Sequence, residues 1–467
     1  MYFHSAELKC IIDYTIFYIK FSFARHNITE VMKMNSIWEI NAHRPHFDRL
    51  SGDMNVDVLI VGGGITGILC ARALKDANVD YALIEADKIC GGITQNTTAK
   101  ITIQHGLICD RLIREFGIEK ARKYFEANND ALKEYRRLCA HIDCDFEESD
   151  AYLYSLDDKS KIEKEAKAYE KIGINAELTD KLPLPFSVAA ALRVSGQAEF
   201  NPLKFLYEIA KDLRIYENTK AIEFAPCEVR TNRGKIRAKK IIIATHFPII
   251  NKHGGYFAKM YQHRSYVLAL KDAPKINGMY IDENEKGLSF RNYGEYLLLG
   301  GGSHRTGKNG GNWSELEEFA AKYYPNAREV CRFATQDCMT LDGVPYIGRY
   351  SHKTEGIYVA TGFNKWGMTS AMAAAMILRD GILEKHNRYS EVFSPSRSIL
   401  RPQLALNLLE TTINLLTPTA PRCPHLGCAL KYNKAEHTWD CPCHGSRFTK
   451  DGKLIDNPAT DDKSGMA

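Results

Sequence analysis

Near the C-terminus, residues 422–428 read RCPHLGC and residues 441–448 read CPCHGSRF. Together they offer four cysteines and two histidines. Thiolate and imidazole are strong ligands for transition metals. A zinc ion could take two of each. Zinc sites of that composition usually pair cysteine with cysteine and histidine with histidine, and two cysteines would be left over. Here each stretch gives one of each, as Cys423-x-His425 and Cys441-x-x-His444. That division suits a [2Fe–2S] cluster with one iron on two cysteines and the other on two histidines. A disulfide knot without metal is the third reading.

A second pattern lies near the other end. Residues 62–67, GGGITG, give the spacing Gly62-x-Gly64-x-x-Gly67. The first glycine permits a tight turn, the second lets a pyrophosphate approach the backbone, and the third lets helix and strand pack closely. The phosphate then meets a helix N-terminus, where free N–H groups and the dipole favour an anion. Glu85 follows Gly62 by 23 residues, where a carboxylate would accept a ribose hydroxyl.

These residues need elements to position them. VDVLIV (56–61) is an apolar run suited to a buried parallel strand, ILCARALKDAN has helical spacing, and DYALIEAD is a second strand. Residues 110–180 are helical and charged. Residues 190–345 mix turns with strand-like runs such as YVLAL and GLSFRNYGEYLLLGGG. AKKIIIATH (238–246) and GIYVATGFNKWGMTSAMAAAMIL (356–378) supply later strands and a helix to the first domain.

VDVLIVGGGITGILCARAL…YALIEAD, GGITQNTTAKIT (91–102), LDGVPYIG (341–348) and YVATGFNKWGMT (358–369) resemble the D-amino-acid oxidase/glycine oxidase family of FAD-dependent oxidoreductases, in the family's order, over roughly 55–385. The resemblance implies FAD, with Thr97, Thr98 and Ala99 near the flavin. It adds Thr245, Gly348 and Gly362 to the cofactor set, and sets the helix from Gly367 and Met368 against the pyrimidine end of the ring. Reduced flavin carries negative charge there, which a helix N-terminus stabilises.

CPHLGC…CPCHGS in turn resembles the Rieske signature. The resemblance implies Cys423 and Cys441 on one iron, His425 and His444 on the other, a Cys428–Cys443 disulfide, and a hydrogen bond from Ser446 to cluster sulfur. Respiratory Rieske proteins carry Tyr where Phe448 stands, so one donor is missing and a lower potential is expected. The module is also short and must lean on the flavin domain for its core. An amino-acid-oxidase-like flavodomain with a C-terminal Rieske module is itself a bacterial family, which residues 36–463 resemble.

The expected fold is an α/β Rossmann-like FAD-binding domain (about 55–110, 198–250 and 336–385) with an inserted α+β antiparallel-sheet substrate domain (about 145–197 and 255–335). Residues 1–35 are expected to be a disordered extension. Residues 386–421, with four prolines, are expected to be a linker to an all-β module at 422–463. Substrate-facing candidates are Tyr266, Arg291 and Lys365, with Arg264, His304 and Arg305 behind them. Arg291, flanked by apolar residues, is a candidate clamp for a carboxylate.

The 467 residues carry 62 Lys+Arg against 57 Asp+Glu, a balance of +5 that is no nucleic-acid signature. CIIDYTIFYIKFSF (10–23) is too short and too charged to span a membrane. A cytoplasmic enzyme is expected. It would oxidise a C–N bond of a small amine or amino acid as a dehydrogenase, passing electrons from FAD through the cluster to a soluble acceptor. The rival readings are reverse flow from a ferredoxin-like donor and a flavin amine oxidase with a merely structural metal module.

Overall fold

The computed structural model describes residues 36–250, 253–418 and 421–463. The expected N-terminal extension and its apolar stretch lie outside these residues.

The first sheet grows from the runs read as buried strands. Met54–Val61 pairs in parallel with Tyr81–Ile84 on one side and with Lys235–Ile243 on the other. Ile357–Thr361 continues the parallel order, and Tyr346–Arg349 closes the edge antiparallel. The register sets Val61 level with both Ile84 and Ile243, and Ile243 level with Val359. Four strands therefore end on one line, the place where open α/β sheets bind ligands. The helices Ile65–Asp76 and Gly367–Ile382 pack together over this sheet, their contact lined by small residues such as Ala71, Ala371 and Ala374.

The second sheet has nine strands and covers that line. Met260–Lys271 lies between Arg328–Thr340 and Tyr296–Arg305, both antiparallel to it. Its far side includes Ala190–Glu199 and Lys100–Ile101. Trp38, in a short 3₁₀ turn at Ile37–Glu39, is fully buried and donates through Nε1 to Thr97 O at 2.7 Å.

The C-terminal module is a four-stranded antiparallel sheet, Lys431–Asn433, Thr438–Asp440, Arg447–Phe448 and Leu454–Asp456. Its own buried core is four cysteines with Leu430, Phe448 and Ala459, too little apolar area to hold so short a chain folded alone. It leans on the larger body through charge. Glu436 accepts from Arg264 Nε at 3.0 Å and from Tyr266 Oη at 3.0 Å, and Arg447 reaches it from the module's side at 2.7 Å. Arg447 also pairs with Asp440 and Asp456. Burial alone would raise the Glu436 pKa, but Arg264 and Arg447 more than offset that and hold it below the usual carboxylate range.

The expected linker contains regular structure. Residues 402–416 form a helix, Pro402–Leu416. The prolines bracket it rather than break it: Pro402 takes the first turn, where its missing N–H costs nothing, and Pro418 follows the end. The helix turns its polar stripe inward. Asn407 accepts from Arg305, Asn414 O accepts from Ala429 N, and Glu410 pairs with Lys308, while Leu406, Leu409 and Ile413 stay exposed.

Glu436→Gln leaves Arg264 and Arg447 facing each other without their shared anion. Losing one partner of such a buried group costs about 3–5 kcal/mol, and the variant is expected to unfold at correspondingly lower denaturant, followed by circular dichroism. The native carboxylate, with its pKa depressed, should lose this contribution as pH falls below the ordinary value near about 4.3.

Candidate functional site: a dinucleotide cavity against two cysteine–histidine loops

A cavity of about 1110 Å³ opens where the parallel strands end beneath the antiparallel sheet. Gly62, Glu85, Thr245 and Gly362, each just past one of the aligned strands, line it. Gly62 has φ +112°, and a Cβ there would sit 2.6 Å from Ala244 O. A Cβ on Gly67 would sit 1.8 Å from Gly62 O, so the helix can approach the turn only with glycine. Gly64 caps the helix Ile65–Asp76 and lines the cavity. Glu85 Oε2 accepts from Gly63 N at 2.7 Å and Oε1 from Asp87 N at 3.0 Å, so the turn itself orients the carboxylate.

Thr97, Thr98, Gly367 and Met368 also reach the cavity; Gly67, Ala99 and Gly348 do not. Gly67 serves the turn, Ala99 is fully buried, and Gly348 lies in the edge strand against Pro395. The helix Gly367–Ile382 begins at the cavity wall, and no side chain caps its N-terminus.

Of the substrate candidates, Lys365 lines the cavity, its Nζ 3.5 Å from Ser303 Oγ. Arg291 is not in the wall. Its guanidinium donates to Thr98 O and Ala99 O, lies 3.4 Å from Glu199 and sits over the Trp38 ring. A buried cation needs such partners, so this arginine braces the Thr98–Ala99 turn from behind the cavity wall. Tyr266 touches the wall, but its hydroxyl is engaged by His304 and Glu436. Arg264 is spent on Glu436, and Arg305 donates to Pro442 O, beside a cysteine ligand candidate.

The two cysteine–histidine loops have the same backbone. Cys423 N donates to Cys428 O and Gly427 N to Cys423 O; Cys441 N donates to Ser446 O and Gly445 N to Cys441 O, all at 2.9 Å. Gly427 and Gly445 occupy matching left-handed positions at φ +76° and +87°. The two loops face each other. Cys423 and Cys441 are in side-chain contact, and the His425 and His444 rings are 5.0 Å apart at 87°. Burial pulls His425 down to about 4 and His444 to about 3, keeping both imidazoles in the neutral form that ligates metal. The Ser446 hydroxyl reaches Cys423. The expected Cys428–Cys443 bridge is not shown: the two cysteines are unbridged and gathered with Cys441, so that the three sulfurs lie within 4.8 Å of one another.

Residues 57–380 match the family described as FAD dependent oxidoreductase, and residues 406–464 match the Rieske [2Fe-2S] domain. The chain belongs to the FAD-dependent oxidoreductase family. It carries the Rieske domain at its C-terminus, and its cofactors are FAD and a [2Fe–2S] cluster. It is 37% identical over 487 residues to the protein YhfW of Bacillus subtilis (strain 168), named for a Rieske 2Fe-2S centre; the match covers 90% of this chain and 95% of that one. Among solved structures it is similar to glycine oxidase from Geobacillus kaustophilus (TM-score 0.60, 18% identity, covering 74% of this chain and 99% of that one). L-proline dehydrogenase from P. horikoshii is similar too (TM-score 0.62, 18% identity, covering 74% and 98%). The Rieske match begins at 406, inside the helix that sequence reading took for linker.

The residues present fit both groups. The glycine turn and the uncapped helix end leave room and N–H groups for a dinucleotide of the FAD-dependent oxidoreductase type. His444 Nδ1 is buried with no hydrogen-bond partner, facing the opposite loop, as a ligand nitrogen would be.

Sequence reading missed three residues of the cavity wall. His105 stacks on Trp366 at 4.9 Å and bonds Tyr124 Oη at 2.7 Å. Arg111, on the helix Cys109–Phe116, brings a cation whose Nε is buried without a partner. Asp337 is pushed up to about 6 by burial, against the charges of Lys365 and Arg264. Nothing in the sequence marks them, because none belongs to a spaced motif.

Gly67→Ala forces its new methyl into the Gly62 carbonyl. The variant is expected to purify with little or no flavin, read from absorbance near 450 nm against protein, while the cluster signal persists.

Proposed function

We propose that the protein is a dehydrogenase that oxidises a C–N bond of a small amino acid, and that electrons pass from FAD to the Rieske cluster and on to a soluble acceptor. One observation carries this reading: the cluster loops and the cavity share a wall. Gln262, on the strand Met260–Lys271, donates to His444 O at 2.8 Å, and Gln336 on the next strand donates to Gly445 O at 2.9 Å. Their neighbours Tyr261 and Asp337 line the cavity. Arg305 joins the two sides, donating to Pro442 O while its guanidinium lies 4.8 Å from the Tyr261 ring centroid. Bound flavin supplies two-electron chemistry, and a Rieske centre exchanges one electron at potentials of about −150 to +300 mV.

The chain's own residues prepare the substrate. Arg111 offers a cation for a carboxylate, the role that Arg291 is too deeply committed to fill. Asp337 is a carboxylate above about pH 6 and can take the proton that an ammonium must lose before its C–N bond is oxidised. The Lys365 charge favours the carboxylate and offsets part of the rise that burial imposes. The Gly367–Ile382 N-terminus, at the cavity wall, would stabilise negative charge on a reduced flavin ring bound against it. Glycine oxidase and L-proline dehydrogenase, by their names, act on amino acids, which supports the substrate class.

For the cluster we propose Cys423 and Cys441 on one iron and His425 and His444 on the other, with Cys428 and Cys443 able to bridge under oxidation. The free thiols among the described residues suit a cytoplasmic protein. No helix among those residues is long and apolar enough to cross a membrane.

The deciding experiment is anaerobic mixing with a panel of amino acids and amines. A substrate should bleach the flavin and then raise the electron-spin resonance signal of a reduced Rieske centre. Flavin bleaching without that signal would exclude transfer to the cluster. Arg111→Met should raise KM for an amino acid at least about tenfold, the loss of one charge-assisted pair, and leave an uncharged-tail amine unaffected. Asp337→Asn should abolish the rise in kcat/KM that wild-type protein shows as pH increases through about 6.

A further inference from the structure

The cavity has one wall that the flavin domain does not supply. Beyond the cluster loops, the module's last segment, residues 453–462, returns across the cavity and lines it with Ile455, Asn457 and Thr460 among others. The segment is fastened at both ends of its course. Asn457 Nδ2 donates to Thr245 O at 2.6 Å and to Phe247 O at 2.9 Å, beside the aligned strand ends. Further on, Lys220 donates through Nζ to Thr460 O, and Thr219, Lys220 and Ala221 line the cavity along the same side as Glu85.

We infer that residues 453–462 are a strap that holds the adenosine-diphosphate half of FAD in place, so that the cluster module retains the flavin as well as taking its electrons. The inference rests on the family's FAD site but not on the direction of electron flow. The position follows from the fold: Gly62 marks where the pyrophosphate passes and Glu85 marks the ribose, and Asn457, bonded to Thr245 O, and Thr460, bonded to Lys220, line the same cavity. The strap is also tied to the cluster loop. Ser446 Oγ accepts from Ala459 N at 2.9 Å. Gln262 Nε2 is shared between His444 O and Asn457 O, at 2.8 and 3.2 Å. A loop that moves when the cluster is lost therefore moves the strap.

Two measurements on the full-length holoprotein test this. In Asn457→Ala, FAD release into dilute buffer, followed by the rise of flavin fluorescence, should be about tenfold faster than in wild type, the loss of roughly two neutral hydrogen bonds. Iron content and the reduced-cluster signal should not change. In wild type, hydrogen–deuterium exchange of peptides spanning 453–463 should slow when flavin-stripped protein is reloaded with FAD, a readout that needs no variant. Exchange that is indifferent to FAD, or a release rate unchanged in Asn457→Ala, would overturn the strap. Electron transfer could fail with both results as expected, and both could fail while transfer proceeds, so the two readings are separable.

Discussion

A single carboxylate, Glu436, sits between two arginines that come from different parts of the chain. Three charges taken out of water are tolerable only if each meets its partner at hydrogen-bond range. The module therefore has one seat on the larger body, and a displacement of an ångström or two would strand Arg264, while Arg447 keeps Asp440 and Asp456 within the module. Apolar packing could not impose this, because the module's core is small and hydrophobic contact is non-directional. The position of the ligand loops, the strap and the shared wall all follow from that seat.

The seat explains why residues that resemble substrate contacts are not free to be so. Tyr266 and Arg264 lie on the strand that both roofs the cavity and carries the module. Their polar ends go to Glu436, leaving the reaction space to side chains that the module does not use: Lys365, Asp337, Arg111 and His105. Arg291 is withdrawn for another reason. The Thr98–Ala99 turn exposes two carbonyls toward the interior, with Ala99 at φ +52°, and a buried guanidinium is the donor that satisfies them.

What could be read from the sequence was whatever depends on local spacing. The glycines at 62, 64 and 67 constrain one turn and one helix, and the Cys/His pairs constrain two loops of identical hydrogen bonding; short-range geometry fixes both. Buried parallel strands are legible because they are continuous apolar runs. The helix Pro402–Leu416 was not legible as part of the fold, since its leucines face outward and its asparagines inward, the reverse of the usual pattern. Arg291 and Tyr266 lie on the antiparallel sheet, with side-chain partners that no local pattern shows. An arginine in a strand looks the same in sequence whether it meets a substrate, a carbonyl or a glutamate 172 residues further on, as Arg264 does.

Fixing the module, rather than tethering it, has a consequence for electron transfer. On a flexible linker the cluster would sample many distances from the flavin, and rates would follow the rare close approaches. Here the segment that joins the two is a helix whose polar stripe is bonded to both sides, through Arg305 and Ala429. The Gln262 side chain, one residue from the cavity wall, holds the carbonyl of His444 itself. Such an arrangement gives up the freedom to carry electrons across a gap by moving the domain. In return, His444 stays beside the cavity, while Leu426, next to His425 on the opposite loop, is exposed to solvent.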